Sequence, residues 1–354
     1  MPTMRLYGSE PSTSGWHPIP PSEVAAWNDS LLGTEASLFQ LPYWNEPLRT
    51  LHFRPTYLTY NEGGRPIAYV CVLELGVPGL RIALAPRGPV PLVRDGMLPA
   101  SALHALHAWS ARRGHIFLRL THERADLLEQ WAVLPGARRT DPFPLYSEPR
   151  EELLVLQEGS DEQVAAAFQP VARRNLRHAQ QVGYRIESDD SPALLTRMWP
   201  LFQTLSQRKN FRYRPLDSFL TLLRLARPHG GACTFAASFN DRPVQAIVVV
   251  RDGRTAHYII GALDTDTLGD RESPSVLLHW LAMRHFAAQG TRYYDLGTRS
   301  GPVYRFKQKF RPMEREIPPP VVLVPHPLRF RSWSTVIDGG LRRAWPTLKR
   351  LIAR

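Results

Sequence analysis

The chain has 354 residues, 43% hydrophobic and 21% charged, with a net charge of +12. That length exceeds one ordinary core, and the balance excludes a disordered chain. The excess of cations favours an acidic partner: nucleic acid, a phosphate-bearing ligand or an anionic membrane surface. Arg is spread throughout the chain, so a general basic bias is the competing explanation.

In chain order, residues 1–36 are rich in Pro, Ser and Gly and are expected to lie over the surface. "SLFQLPYWNEPLR" reads as helical, and "TYLTYNEGGRPIAYVCVLELG" as a hairpin turning at "NEGG". "LRIALAPRGPV" reads as a strand ending in a Pro/Gly loop. "PASALHALHAWSARRG" has helical periodicity and a Gly stop, and "HIFLRL" is a buried strand. The second half repeats this order: a hairpin in "CTFAASFNDRPVQAIVVVRDG", a strand in "TAHYIIGALD", a helix in "SPSVLLHWLAMRHFAAQG" and a strand in "TRYYDLG". "RPIAYVCV" from Arg65 matches "RPVQAIVV" from Arg242, 177 positions on; Gly114 matches Gly290, 176 positions on. Two copies of one α/β unit follow. The boundaries read as 1–150 and 151–320, with a basic tail, 321–354, packing on the first domain or on a membrane surface.

Between the copies Pro170 divides a helical stretch, followed by a cluster of Arg173, Arg174, Arg177 and His178. The tail sets Trp333, Leu341, Trp345, Leu348, Leu351 and Ile352 among arginines, a pattern that suits an anionic membrane surface or docking on the protein itself. Cys71 and Cys233 sit in apolar runs and read as buried spectator thiols. The first residues lack a charged start followed by an apolar core, so a cytoplasmic protein is expected, with peripheral contact at the inner face of the plasma membrane as a further expectation from the tail. Phosphate-loop, dinucleotide-binding and GxSxG signatures are all missing.

The duplicated unit resembles the GNAT acyltransferase fold: α/β with mixed sheets, in two tandem GNAT-like domains. In that fold a Gly-rich turn holds the pyrophosphate of acetyl-CoA. "VRDGMLPAS" and "DTLGDRESPS" lack that turn's pattern, which disfavours a CoA thioester donor. From Leu38 to Met313 the chain resembles the FemABX family, aminoacyl-tRNA-dependent transferases that build peptidoglycan interpeptide bridges. The likeness rests on "FQLPYW", "APRGPV", "ARRNLRHAQQVGYRI", "LLHWLAMRHFAAQGTRYYDLG" and "VYRFKQKF", in order. There is no room for the coiled-coil arm of some relatives, so a compact form is implied. One departure is "RLTH", residues 119–122, where relatives often read RIDP; Thr121 replaces a carboxylate.

The resemblance implies transfer of an amino acid from aminoacyl-tRNA to an amine on the stem peptide of a peptidoglycan precursor, lipid II or its soluble UDP-linked form. A monomer is expected, with no metal or organic cofactor. Lys307 would contact the transfer RNA end or stabilise the oxyanion. Arg305 and Lys309 would meet phosphate or the terminal ribose, Tyr304 would stack on a base, and Phe306 and Phe310 would anchor the segment. Asp295 is the second catalytic candidate, for orienting a substrate amine. Arg87, held in a rigid loop between two prolines, suits a carboxylate or phosphate. Arg119, at the start of "RLTH", and Arg212, Tyr213 and Arg214 complete the candidate substrate contacts. Two other readings stand beside this one. The first is an acyl-CoA- or acyl-carrier-dependent N-acyltransferase in surface polysaccharide or lipid modification. The second is a non-catalytic RNA- or membrane-binding protein on the same scaffold.

Overall fold

The computed structural model describes residues 14–77, 79–93, 96–141, 151–269, 271–299 and 303–336. The tail positions Leu341, Trp345, Leu348, Leu351 and Ile352 lie outside the described residues. The chain divides into two compact units. The first comprises residues up to 25, 52–145 and 318–343; the second comprises 26–51, 146–317 and 344 onwards.

The first unit contains β1 (Gly15–Pro18), β2 (Arg54–Glu62), β3 (Arg65–Val77), β4 (Leu80–Ala85), β5 (Val90–Pro91), β6 (His115–Leu120) and β7 (Ala137–Arg138). The second contains β8 (Glu151–Leu156), β9 (Arg185–Asp189), β10 (Ala232–Phe239), β11 (Arg242–Arg251), β12 (Thr255–Leu263), β13 (Tyr293–Asp295) and β14 (Met313–Glu316). A last strand, β15 (Val321–Leu323), joins the first sheet. The sheet orders are β1-β2-β3-β4-β6-β15-β7, with β5 on β3, and β9-β10-β11-β12-β13-β8-β14.

These orders match position by position, including the one parallel pair in each, β4 with β6 and β12 with β13. Parallel neighbours need a long crossover, and a helix supplies it in both units: Ala100–Arg112 in the first, Ser275–Ala287 in the second. Each helix turns its apolar stripe to the sheet. Ala102, Leu103 and Leu106 pack with Val70, Val72 and Leu118; Leu278, Ala282 and Phe286 pack with Phe235, Ile247 and Tyr294. Burying one such large side chain contributes about 1.5–3 kcal/mol. Both helices end ahead of a glycine at positive φ, Gly114 at 72° and Gly290 at 89°. The mixed α/β class and tandem GNAT-like architecture are therefore as the sequence implies.

Three expectations need correction. Of the stretch 1–36, the described residues, 14–36, do not simply lie over the surface. Trp16 is buried and its indole donates to Ala102 O at 2.7 Å, and Asn28 and Leu31 are also buried. "SLFQLPYWNEPLR" is not one helix, because Pro42 and Pro47 start new turns. It breaks into Leu38–Gln40, Pro42–Asn45 and Glu46–Leu51. These turns belong to the second unit, where the buried Tyr43 donates its hydroxyl to Arg251 O. Lastly, "TRYYDLG" contributes only three strand residues, with consequences for the site. Cys71 and Cys233 are buried, as expected, and burial pushes the Cys233 thiol up to about 12. Among the described residues no helix is long and apolar enough to cross a membrane.

Candidate active site

Strands β12 and β13 pair over three positions only, from Thr255↔Tyr293 to His257↔Asp295. There β13 ends, while β12 runs on to Leu263 against β11. The gap left by the missing partner opens into a cavity of about 760 Å³. Tyr258 and Gly261–Leu263 form one wall, and Leu296 and Val276 lie beneath. It lies beyond the carboxyl ends of parallel strands, where ligands of open α/β sheets bind. Ser273, Ser275 and Val276 bring the start of the crossover helix to it, an end whose amides and dipole favour anions. The Ser275 hydroxyl donates to Gln245 Oε1 at 2.9 Å, which fixes that edge.

The segment Tyr304–Phe310 closes the cavity. One α-helical turn, Tyr304–Lys307, passes into a 3₁₀ turn, Gln308–Phe310. Phe310 is fully buried against Phe168, ring centres 5.0 Å apart, and Phe306 lies 5.4 Å from Phe310. The aromatics anchor the segment and aim Lys307 and Lys309 into the cavity. Lys307 is 7% exposed and its Nζ donates to Thr298 O at 2.9 Å. Burial lowers its pKa below the usual lysine range, against the opposing charge of Asp295.

Asp295 is itself held from both sides. Its Oδ1 accepts the Gly297 amide at 2.7 Å, and its Oδ2 lies 3.1 Å from His257 Nδ1. His257 Nε2 lies 2.9 Å from Asp252 Oδ2, and that carboxylate also accepts the amides of Leu38, Arg254 and Thr255. Burial works to discharge His257, but the hydrogen bonds and charges of Asp252 and then Asp295 prevail and raise it to about 10. The result is a buried, doubly donating imidazolium between two carboxylates. It fixes the turn 295–298 on which Lys307 rests. His279 behaves oppositely. Burial, aided by the Lys307 charge, lowers it to about 3, and Nδ1 sits 2.8 Å from the Tyr294 hydroxyl.

The other candidates are scattered around and away from the cavity. Tyr213 lies behind the cavity wall: its hydroxyl donates to Gly261 O at 3.0 Å, and burial pushes it up to about 12. Arg214 stacks over Trp44 at 4.6 Å, while Arg212 and Arg305 are exposed. The Tyr304 hydroxyl donates to Glu314 at 2.8 Å. Arg87 and Arg119 belong to the first unit and line no part of this cavity. Arg87, at φ 56°, is 1% exposed with Glu123 3.5 Å away; Arg119 forks onto Asp141 at 3.0 and 3.3 Å. Thr121, the departure from the relatives' carboxylate, accepts the Arg87 amide at 2.8 Å.

Sequence reasoning did not single out His257, His279 or Glu272. His279 lies on an apolar helix face and reads as core. The one signal for His257 was a polar residue in an otherwise apolar strand, register-paired with Asp295.

The acetyltransferase (GNAT) domain family matches residues 167–308, which contain this cavity. No curated protein matches the chain by sequence. Among solved structures, FemX superposes with a TM-score of 0.69 at 13% identity, covering 86% of this chain and 97% of FemX. The fold is FemX-like. The FemX-like architecture also superposes on the C-terminal domain of a putative lysylphosphatidylglycerol synthetase from Agrobacterium fabrum. There the TM-score is 0.53 at 14% identity, covering 89% of this chain and 97% of that one. L-PGS from Bacillus licheniformis gives 0.52 at 13% identity, covering 93% and 99%.

Proposed function

We propose that this FemX-like chain is an aminoacyltransferase moving an amino acid from the 3′ ester of aminoacyl-tRNA to the amine of a peptidoglycan-precursor stem peptide. The observation that supports it most is Lys307, a buried ammonium at the open end of the β12/β13 pair. It spends one donor on Thr298 O and presents the rest to the cavity.

In this reading the neutral stem amine attacks the ester carbonyl. The C–N bond forms, the bond to the ribose 3′ oxygen breaks, and the amine proton ends on that oxygen. Lys307 stabilises the oxyanion between these steps, an arrangement whose removal costs 10²–10³-fold in rate in comparable sites. His279, held near 3, stays neutral and is too weak a base to take the proton at neutral pH. A substrate phosphate or ribose hydroxyl carries it. Asp295 orients Lys307 through the 295–298 turn. Lys309, Arg305 and Arg212 contact phosphates, with Tyr213 supporting the wall at Gly261 and Arg214 held on Trp44. Tyr304 supports the segment beside them. The ester is already activated, so alignment supplies much of the acceleration.

The test is incubation with charged transfer RNA and lipid II or its UDP-linked precursor, reading label on the stem peptide. Transfer is expected, and Lys307→Met should lower kcat about 100-fold or more with the fold intact. Label on a lipid hydroxyl, or acylation from a CoA thioester instead, would refute this acceptor or this donor respectively.

A further inference from the structure

Among the described residues the cavity is lined by four cations, Arg208, Lys209, Lys307 and Lys309, and by one carboxylate, Glu272. Such a carboxylate would ordinarily fold onto a neighbouring cation. Here Arg208, Lys307 and Lys309 are turned elsewhere. Arg208 lies 3.6 Å from Asp266, Lys307 donates to Thr298 O, and Lys309 sits over the Phe306 ring at 5.8 Å. The adjacent Arg271 stacks on Phe239 at 4.4 Å and donates to Leu268 O at 3.1 Å. Glu272 is half-buried and fixed by its backbone, whose carbonyl accepts the Tyr184 hydroxyl at 2.6 Å.

A purely anionic ligand would be better served without this group, because a carboxylate among the cations repels it. The lining instead suits a ligand negative over most of its length and positive at one point. The 3′ end of an aminoacyl-tRNA has that pattern: phosphates, then an ester, then an α-ammonium two bonds from the ester carbonyl carbon.

We propose that Glu272 receives the α-ammonium of the donor aminoacyl group and so selects donors that carry one. This inference rests on the reading of the chain as an aminoacyltransferase. A carboxylate contact also keeps the donor nitrogen protonated. The donor amine therefore does not compete with the acceptor amine for a second ester.

The experiment compares aminoacyl-tRNA with its α-hydroxyacyl counterpart, made by nitrous acid deamination, in the full-length protein, in Glu272→Gln and in Glu272→Asp. Hydrogen bonds to charged groups set the scale, so the wild type should prefer the amino donor by about 10- to 100-fold in kcat/KM. Glu272→Gln should erase that preference while leaving kcat/KM for the hydroxy donor unchanged, and Glu272→Asp should restore part of it. Equal losses on both donors, or none on either, overturn the proposal. If no transfer occurs from any charged transfer RNA, the functional reading fails on its own. Glu272 is then judged by NMR titration with alaninamide and lactamide. Alaninamide binding more tightly to the wild type, with the difference lost in Glu272→Gln, sustains the anchor; equal binding refutes it.

Discussion

Replacing His257 by Gln removes the one positive charge between Asp252 and Asp295 and leaves two buried carboxylates facing a neutral amide. The folded imidazolium titrates at about 10 against 6.5 for a free side chain. Its stabilisation is therefore complete below about 6.5 and is lost as pH rises through about 10. At about 1.4 kcal/mol per pH unit, the wild type should forfeit about 3 kcal/mol of this contribution between pH 6 and pH 9. The variant has no such group, so the stability gap between the two should narrow by that amount. Urea unfolding at pH 6, 7, 8 and 9, read by hydrogen exchange of peptides spanning β12 and β13, measures the gap locally. A gap of constant size from pH 6 to pH 9 would mean that His257 is not a folded-state imidazolium. The clamp on the 295–298 turn would then need another explanation.

Three further outcomes are expected, one from the same contacts and two from elsewhere in the chain. The charge of Asp295 opposes the downward shift of Lys307, so Asp295→Asn should move the alkaline limb of the pH–rate profile to still lower pH; an unmoved limb would dissociate the two. In the first unit Glu74 accepts from His115 and from both arms of Arg113. These bonds overcome burial and lower it to about 2. Its contribution, present above about 4.5, is lost as pH falls through about 2; Glu74→Gln should remove roughly 2 kcal/mol at pH 7, seen in urea midpoints. Gly253 passes so close to Leu32 O and Thr34 O that a Cβ would sit 2.8 Å from the latter. Gly253→Ala should therefore cost roughly 2 kcal/mol or more by the same measurement.

Local pattern carried much of the fold. The hairpin β2–β3 was legible because two β-branched runs flank "NEGG", whose glycines take φ 56° and 78°. The two crossover helices were legible from period and glycine stop. The segment Tyr304–Phe310 was legible too, since aromatics at i,i+4 must share a face. What the sequence does not display is pairing between distant segments. Nothing near Tyr43 announces that its hydroxyl ends on Arg251, and nothing near Val321 announces a partner in Leu120. The site suffers from the same limit. Lys307 could be named from its motif, whereas the partners that hold its turn, Asp252 and His257, come from residues whose neighbourhood exists only after folding. Glu272 went unseen because one acid in a polar loop has no periodicity to mark it.

The strand Val321–Leu323 lies between β6 and β7, in the place that β8 takes in the second sheet. The first sheet therefore gains a central strand from a segment that follows every strand of the second. Until Val321–Leu323 has been made, His115–Leu120 carries an open edge with free amides and carbonyls. The second sheet can close first, reversing the usual vectorial order. A nonsense change shortly after Ile317 would leave the second sheet with all its strands and the first without the one that covers β6, a seed for edge-to-edge association during synthesis.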